Sequence, residues 1–251
     1  MIRVKSVLLG LGLAALLSLG AVKAANASPI NGTLTATYWL VSYNDPDFGS
    51  QCCGTYYNFV TSKLGPDGLP VYNTASGDPY TIHDINKNGE ITWWDPSEDP
   101  NVTFWKTSTI TIPFASTSMY GPAGNDANYF LTAEFTGTFT LPTKSTVTFT
   151  LGSDDDSFFY VDGNLVDSLG GVHADTPAPT NTDTLSAGTH TITLFYDDRY
   201  PTNAALNFSL DSTGITVNPG GSSTTPEPGT LTLLGTGLFG LLGLAKKRFA
   251  L

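Results

Sequence analysis

Two short stretches hold the residues whose types and spacing could do chemistry. The first is Asp154-Asp155-Asp156, three consecutive carboxylates that open the segment Gly152–His173. Neighbouring side chains on a strand point to opposite faces. Three adjacent aspartates therefore belong on a loop or a strand end, where water or a hard cation such as Ca²⁺ must relieve their repulsion. The second is Asp84–Asp95, reading DINKNGEITWWD.

That second stretch fits the EF-hand loop template, with an acid or amide at positions 1, 3 and 5, glycine at 6, an apolar residue at 8 and a carboxylate at 12. Asp84, Asn86 and Asn88 would supply side-chain oxygens, Glu90 its backbone carbonyl, Thr92 a water, and Asp95 would close the shell. Asp95 is shorter than the usual glutamate. The flanks Pro79–His83 and Pro96–Pro100 are not helical, so the expectation is a calcium loop inserted in a β protein. The alternative is an Asn-Gly hairpin turn with polar decoration.

Trp93 and Trp94, with Trp105 and Tyr120, are candidate sugar-stacking platforms, since Trp and Tyr offer large amphipathic area at low entropic cost. Neighbours on a strand face opposite ways, so at least one of Trp93 and Trp94 is expected in the core. No enzyme is expected. Paired carboxylates can hydrolyse glycosides, but no pair is marked as acid and nucleophile. His83, His173 and His190 have no Ser or Cys partner for a triad, and His83 lacks a second histidine for zinc.

The elements that must position these residues read as strands. Thr33–Val41 is rich in Thr and aromatics, and Thr55–Ser62 reads as a strand or short helix. Gly65–Tyr80, broken by Gly and Pro, reads as an excursion rather than core. Thr103–Pro113 alternates loosely. Leu131, Ala133, Phe135, Phe139 and Leu141 share one face of Leu131–Leu141, and Val147, Phe149 and Leu151 repeat that pattern after a turn. These two strands are expected to form a hairpin delivering the chain to the aspartates. Phe158–Val161 and Leu165–Val166 flank the Asp162-Gly163-Asn164 turn, and His190–Tyr196 and Ala204–Leu210 complete the set. Many short strands with long loops predict a β-sandwich or barrel.

Both chain ends read as sorting signals. Arg3 and Lys5 precede the apolar run Val7–Leu17, and Ala25-Asn26-Ala27 is a small-x-small cleavage pattern, placing a signal peptide over 1–27. The other end runs from Pro226-Glu227-Pro228-Gly229 through apolar Thr230–Ala245 to Lys246-Lys247-Arg248. Sixteen helical residues rise about 24 Å, short of a hydrocarbon core of roughly 30 Å. The intervening body, 28–217 followed by a linker at 218–225, holds 21 of the 22 acids but only five cations: Lys63, Lys87, Lys106, Lys144 and Arg199. Such a surface excludes nucleic acid and anionic lipid, and suits divalent cations and neutral sugars. The only cysteines, Cys52 and Cys53, are adjacent; a vicinal disulfide, pairing with another chain and metal binding all remain open.

Two resemblances follow from these residues. Pro226-Glu227-Pro228, the short apolar helix and the basic end resemble the PEP-CTERM sorting signal over 226–251. The resemblance implies an exosortase as partner, transient membrane insertion of the tail, and release to the cell surface or an exopolysaccharide matrix. Phe130–Leu141, Val147–Leu151, Gly152-Ser153-Asp154-Asp155-Asp156, Phe159-Tyr160-Val161-Asp162-Gly163, Gly170-Gly171-Val172-His173 and His190–Arg199 resemble the fibro-slime domain, related to the protective-antigen-type (PA-fourteen) barrel. That implies an all-β, jelly-roll-like sandwich that often binds carbohydrate, sometimes through Ca²⁺. In the adhesin branch two adjacent aspartates grip one Ca²⁺ and sugar hydroxyls complete its shell. The matching residues are Asp154 and Asp155, with Asp156, Trp93 and Trp94 as further ligand-binding candidates. Two carboxylates from neighbouring residues converge only with an unusual backbone such as a cis peptide. The expectation is an exported, calcium-binding, adhesive module, the alternative a structural matrix component in which calcium is a staple.

Overall fold

In a computed structural model, which describes residues 28–29, 31–49, 53–212 and 217–219, every regular element is a strand. In chain order they are β1 (Ser28–Pro29), β2 (Gly32–Ser42), β3 (Val60–Leu64), β4 (Pro70–Tyr72), β5 (Val102–Ile112), β6 (Phe114–Ser116), β7 (Tyr129–Leu141), β8 (Ser145–Asp154), β9 (Ser157–Val161), β10 (Asn164–Leu169), β11 (Thr176–Pro177), β12 (Asn181–Leu185), β13 (Gly188–Asp197), β14 (Ala205–Ser212) and β15 (Val217–Pro219). The larger sheet runs β4-β3-β10-β9-β13-β7-β15-β2-β5, with β7 also paired to β2. The smaller runs β1-β14-β8-β11, with β6 on β14 and β12 on β8. Pairing is antiparallel except for one β15–β2 contact. The expected all-β sandwich is what forms. The signal peptide with Ala27, Cys52, most of the linker, and the tail with Pro226, Glu227 and Pro228 lie outside the described residues. Among those described, no helix is long and apolar enough to cross a membrane.

The alternating faces are where the sequence put them. Leu131, Ala133, Phe135, Phe139 and Leu141 are buried, as are Val147, Phe149 and Leu151. The expected hairpin between those two strands does not form. β7 pairs with β13 and β2 in the large sheet, while β8 pairs with β14, β12 and β11 in the small one. Two strands with equally apolar faces can share a core by facing each other across the sandwich as well as by lying side by side. The chain changes sheet after β8 and returns to the large sheet at β9, so Asp154-Asp155-Asp156 occupies the crossing.

β9 explains the second layer of packing. All five of its residues are buried. Phe159 and Val161 join the core between the sheets, whereas Phe158 and Tyr160 join a second aromatic core on the outer face of the large sheet. Loops between β2 and β5 roof that face with Phe48, Phe59, Leu69, Ile82, Ile91, Trp93 and Trp94. The stretch 65–80, expected to be an excursion, therefore contributes core through Leu69 and forms β4. Gly170 and Gly171 let the roof close, because a Cβ at either would collide with Phe59, Tyr56 or the Gly54 carbonyl.

Candidate functional site

The crossing between β8 and β9 is built from backbone donors. Asp155 Oδ1 accepts the His173 N–H at 2.9 Å and its Oδ2 the Arg199 N–H at 2.8 Å. Asp154 Oδ2 accepts from Asp175 N at 3.2 Å, and the Asp154 carbonyl accepts the Tyr196 hydroxyl at 2.8 Å. The Asp154–Asp155 peptide is cis. Both residues line one open cavity of about 370 Å³ with His173, Tyr200, Thr202 and Asn203. Asp156 does not join them. It is fully buried, accepting from Gly171 N and from Arg199 Nε, both at 2.6 Å. That removes it from the expected ligand set, because its oxygens face inward to a guanidinium.

Arg199 is the cation of this region. It is 1% exposed, pairs with Asp156, lies 3.7 Å from Asp197, and sits over the rings of Trp93 and Phe59 at 4.9 and 5.3 Å. Near this crossing, the sequence gives no sign of Asp198 and Asp126, of which Asp126 lines a neighbouring cavity with Tyr120 and Thr202. Both are buried, and no donor reaches either Asp198 oxygen or Asp126 Oδ1. Burial, with the charges of Asp126, Asp155 and Asp154, pushes Asp198 up to about 11, and burial pushes Asp126 up to about 6. Asp154 and Asp155 thus line the cavity with Asp198 and Asp126 close by, and a cation would relieve the repulsion among these carboxylates.

The stretch 84–95 does not assemble one calcium shell. Ile85 bridges Ile91, Gly89 N donates to Asn86 O at 2.9 Å, and Gly89 has φ +80°, so the Asn-Gly hairpin forms. The Glu90 carbonyl accepts Asn86 N at 2.9 Å. The side chains of Asn86 and Asn88 donate to the Glu90 carboxylate and to Asp67. Asp95 caps the following turn through Ser97. The template spacing is satisfied, but in this tight hairpin Asn86 Oδ1 accepts the Asn88 and Glu90 N–H groups while the Asn86 and Asn88 amide nitrogens turn to the Glu90 carboxylate. Asp84 alone turns away, toward Asp45 and Asp47, and one oxygen from each of these three lies within 4.8 Å of the others, so this buried triad could hold a metal ion.

Trp93 and Trp94 are 0% and 3% exposed. Trp93 Nε1 donates to Asp47 Oδ2 at 3.1 Å and Trp94 Nε1 to the Tyr196 carbonyl at 3.0 Å. Neither can stack on a ligand. At least one tryptophan of the pair is expected inside; both are, because the outer face of the large sheet is roofed. His173 and His190 are held by main-chain and Asp162 partners, and His83 Nδ1 meets Asp47 Oδ1 at 2.9 Å. Trp105 is partly buried beside Tyr38, with Lys106 Nζ 3.9 Å over its ring. Cys53 is disulfide-bonded and lines the Asp154–Asp155 cavity.

Comparison with known proteins matches residues 87–216 to a family model described as the PA14 domain, and residues 224–248 to the PEP-CTERM protein-sorting motif. Protein psiR of Dictyostelium discoideum is 23% identical over 224 residues, covering 73% of this chain and 22% of psiR, so the chain spans about a fifth of that relative. A PA14 sugar-binding domain from an RTX adhesin is 14% identical with a TM-score of 0.35, covering 72% of this chain and 92% of the other. The Epithelial Adhesin 9 A domain of Candida glabrata, in complex with Galβ1-4GlcNAc, is 12% identical with a TM-score of 0.36, covering 76% and 92%.

Proposed function

The chain belongs to the PA14 domain family, and from that premise we propose that it is an exported, non-catalytic module that binds carbohydrate through Ca²⁺ held at Asp154 and Asp155. The observation that carries this reading is that two adjacent carboxylates line the same open cavity, with Asp198, whose buried oxygens have no donor among the described residues, close to both. Oxygen-only donors of this charge suit Ca²⁺, which takes six to eight ligands and leaves places for vicinal sugar hydroxyls. Tyr200, Thr202 and Asn203, on the loop between β13 and β14, and His173 opposite would contact the rest of the sugar. The PEP-CTERM motif supports delivery to the cell surface or its polysaccharide matrix, with the tail inserted in the membrane until an exosortase acts at Pro226-Glu227-Pro228.

The test is glycan binding by the full chain in Ca²⁺ and in chelator. Binding should require Ca²⁺ and be lost in Asp155→Asn, whose fold is checked by its melting temperature. Glycan binding that persists in chelator, or in Asp155→Asn, overturns the reading. Ca²⁺ binding at this site without any glycan leaves the protein as a structural matrix component.

A further inference from the structure

Outside that cavity the molecule holds a second group of carboxylates with unmet oxygens. Loop 43–49, hairpin 84–92 and turn 95–101 come together at one edge of the roof. Asp45 Oδ1 accepts Asp47 N and Asp99 Oδ1 accepts Asn101 N, each at 2.8 Å. Their Oδ2 atoms, and Asp84 Oδ2, are buried and receive no donor. Asp45 and Asp99 are 3% and 2% exposed. Asp47 is different, because its two oxygens accept from His83 N, Asp84 N and Trp93 Nε1, and it meets His83 Nδ1. Asp84 and Asp99 line an open cavity of about 230 Å³ with Thr92, Glu98 and Asn101, which gives an ion a way in. Among the described residues no lysine or arginine forms an ion pair with Asp45, Asp84 or Asp99.

We propose that Asp45, Asp47 and Asp84, with Asp99 beside Asp84 in the cavity wall, bind a Ca²⁺ ion that pins loop 43–49 to the 84–92 hairpin. The unmet oxygens of Asp45, Asp84 and Asp99 come from different segments, and a cation held by the triad would relieve them together. An all-oxygen set with a hydroxyl, an amide and solvent at its open side suits Ca²⁺ better than Mg²⁺, which demands a near-ideal octahedron. The ion would also hold Phe48 against Trp93, and Gly49, whose N–H donates to the Arg199 carbonyl at 2.8 Å, beside the other site. The inference stands apart from the glycan reading: it uses none of Asp154, Asp155 or Asp198.

The experiment uses the metal-stripped full chain with Ca²⁺, Mg²⁺ and Tb³⁺ as probes. Trp93 donates to Asp47, so Tb³⁺ at this site should luminesce when tryptophan is excited, and Ca²⁺ should displace it. Asp84→Asn and Asp99→Asn should each lose that luminescence and weaken Ca²⁺ binding at least about tenfold. Asp155→Asn should keep both. Each of the first two variants removes one of several crowded buried charges, so in chelator it should melt at or above the wild-type temperature while losing the rise that Ca²⁺ gives the wild type. Luminescence surviving in both variants overturns the site, and so does a lower melting temperature in chelator, which marks Asp84 and Asp99 as purely structural. An equal rise with Mg²⁺ overturns the choice of ion. Loss of glycan binding in Asp155→Asn, or its retention, leaves each of these outcomes unchanged.

Discussion

The two acidic centres bury carboxylates to similar depth but meet their charge differently. At the β8–β9 crossing a buried guanidinium does half the task. Arg199 is bonded to Asp156 and close to Asp197, and its own N–H donates to Asp155. Among the described residues no guanidinium or ammonium pairs with Asp45, Asp84 or Asp99, and the charge waits for a proton or an ion. The difference shows which part of an acidic site is scaffold and which is receptor. Oxygens committed to Arg199 fix the fold, whereas carboxylates that open on a cavity (Asp154 and Asp155 in one region; Asp84 and Asp99 in the other) mark where a cation can bind.

The largest effect should come from removing the internal cation. Arg199→Met strands Asp156 and Asp197, both fully buried, and opens a gap against Trp93 and Phe59. Breaking a buried pair by deleting one partner costs about 3–5 kcal/mol. Urea denaturation should show a loss of that size, in Ca²⁺ and in chelator alike. A loss below about 1 kcal/mol, the scale of an exposed pair, would break the comparison.

A smaller effect, with opposite signs at the two centres, sharpens it. In chelator, Asp156→Asn should destabilise by about 1–3 kcal/mol, since it weakens two charge-assisted bonds and leaves Arg199 short of a partner. Asp99→Asn under the same conditions should be neutral or stabilising, because it relieves like-charge crowding without abandoning a buried cation. Denaturation curves of both variants in chelator check this, and equal losses would mean that Asp99 is as much scaffold as Asp156.

Much of this was legible in the chain, and what was not has a common cause. Period-two alternation marked the buried faces of β7, β8 and β13, and the three aspartates were correctly assigned to a strand end. Alternation says which face is buried but not which strand lies alongside, so the partition of β7 and β8 between two sheets was invisible. The 84–95 spacing drew attention to Asp84, yet spacing could not show that Asn86 and Asn88 would turn to Glu90. Asp84's partners stand outside the motif: Asp47 is 37 residues away, and Asp45 lies with it on loop 43–49. Asp126 and Asp198 likewise meet Asp154 only through the fold. Local pattern found the strands and the acid runs; the sites are made by segments distant in sequence.

The smallest effect separates burial from repulsion. Asp167 is buried, with Ser168 N on Oδ1 and no donor on Oδ2, and burial alone pushes its carboxyl up to about 6. Asp84 is pushed up to about 9 by burial joined to the charges of Asp47 and Asp45. A carboxyl raised in the folded state holds its proton more tightly there than in the unfolded chain. Stability therefore falls as pH rises from the ordinary value of 3.8 to the folded value, and that loss is complete above it. Asp167→Asn should flatten the profile only between about pH 4 and 6, with stability gained above that range. Asp84→Asn, measured in chelator, should flatten it as far as about pH 9. Urea denaturation at stepped pH reads both slopes. If they flatten over the same range, the neighbours of Asp84 add nothing to its burial, and the crowding that calls for a cation between Asp45, Asp84 and Asp99 is absent.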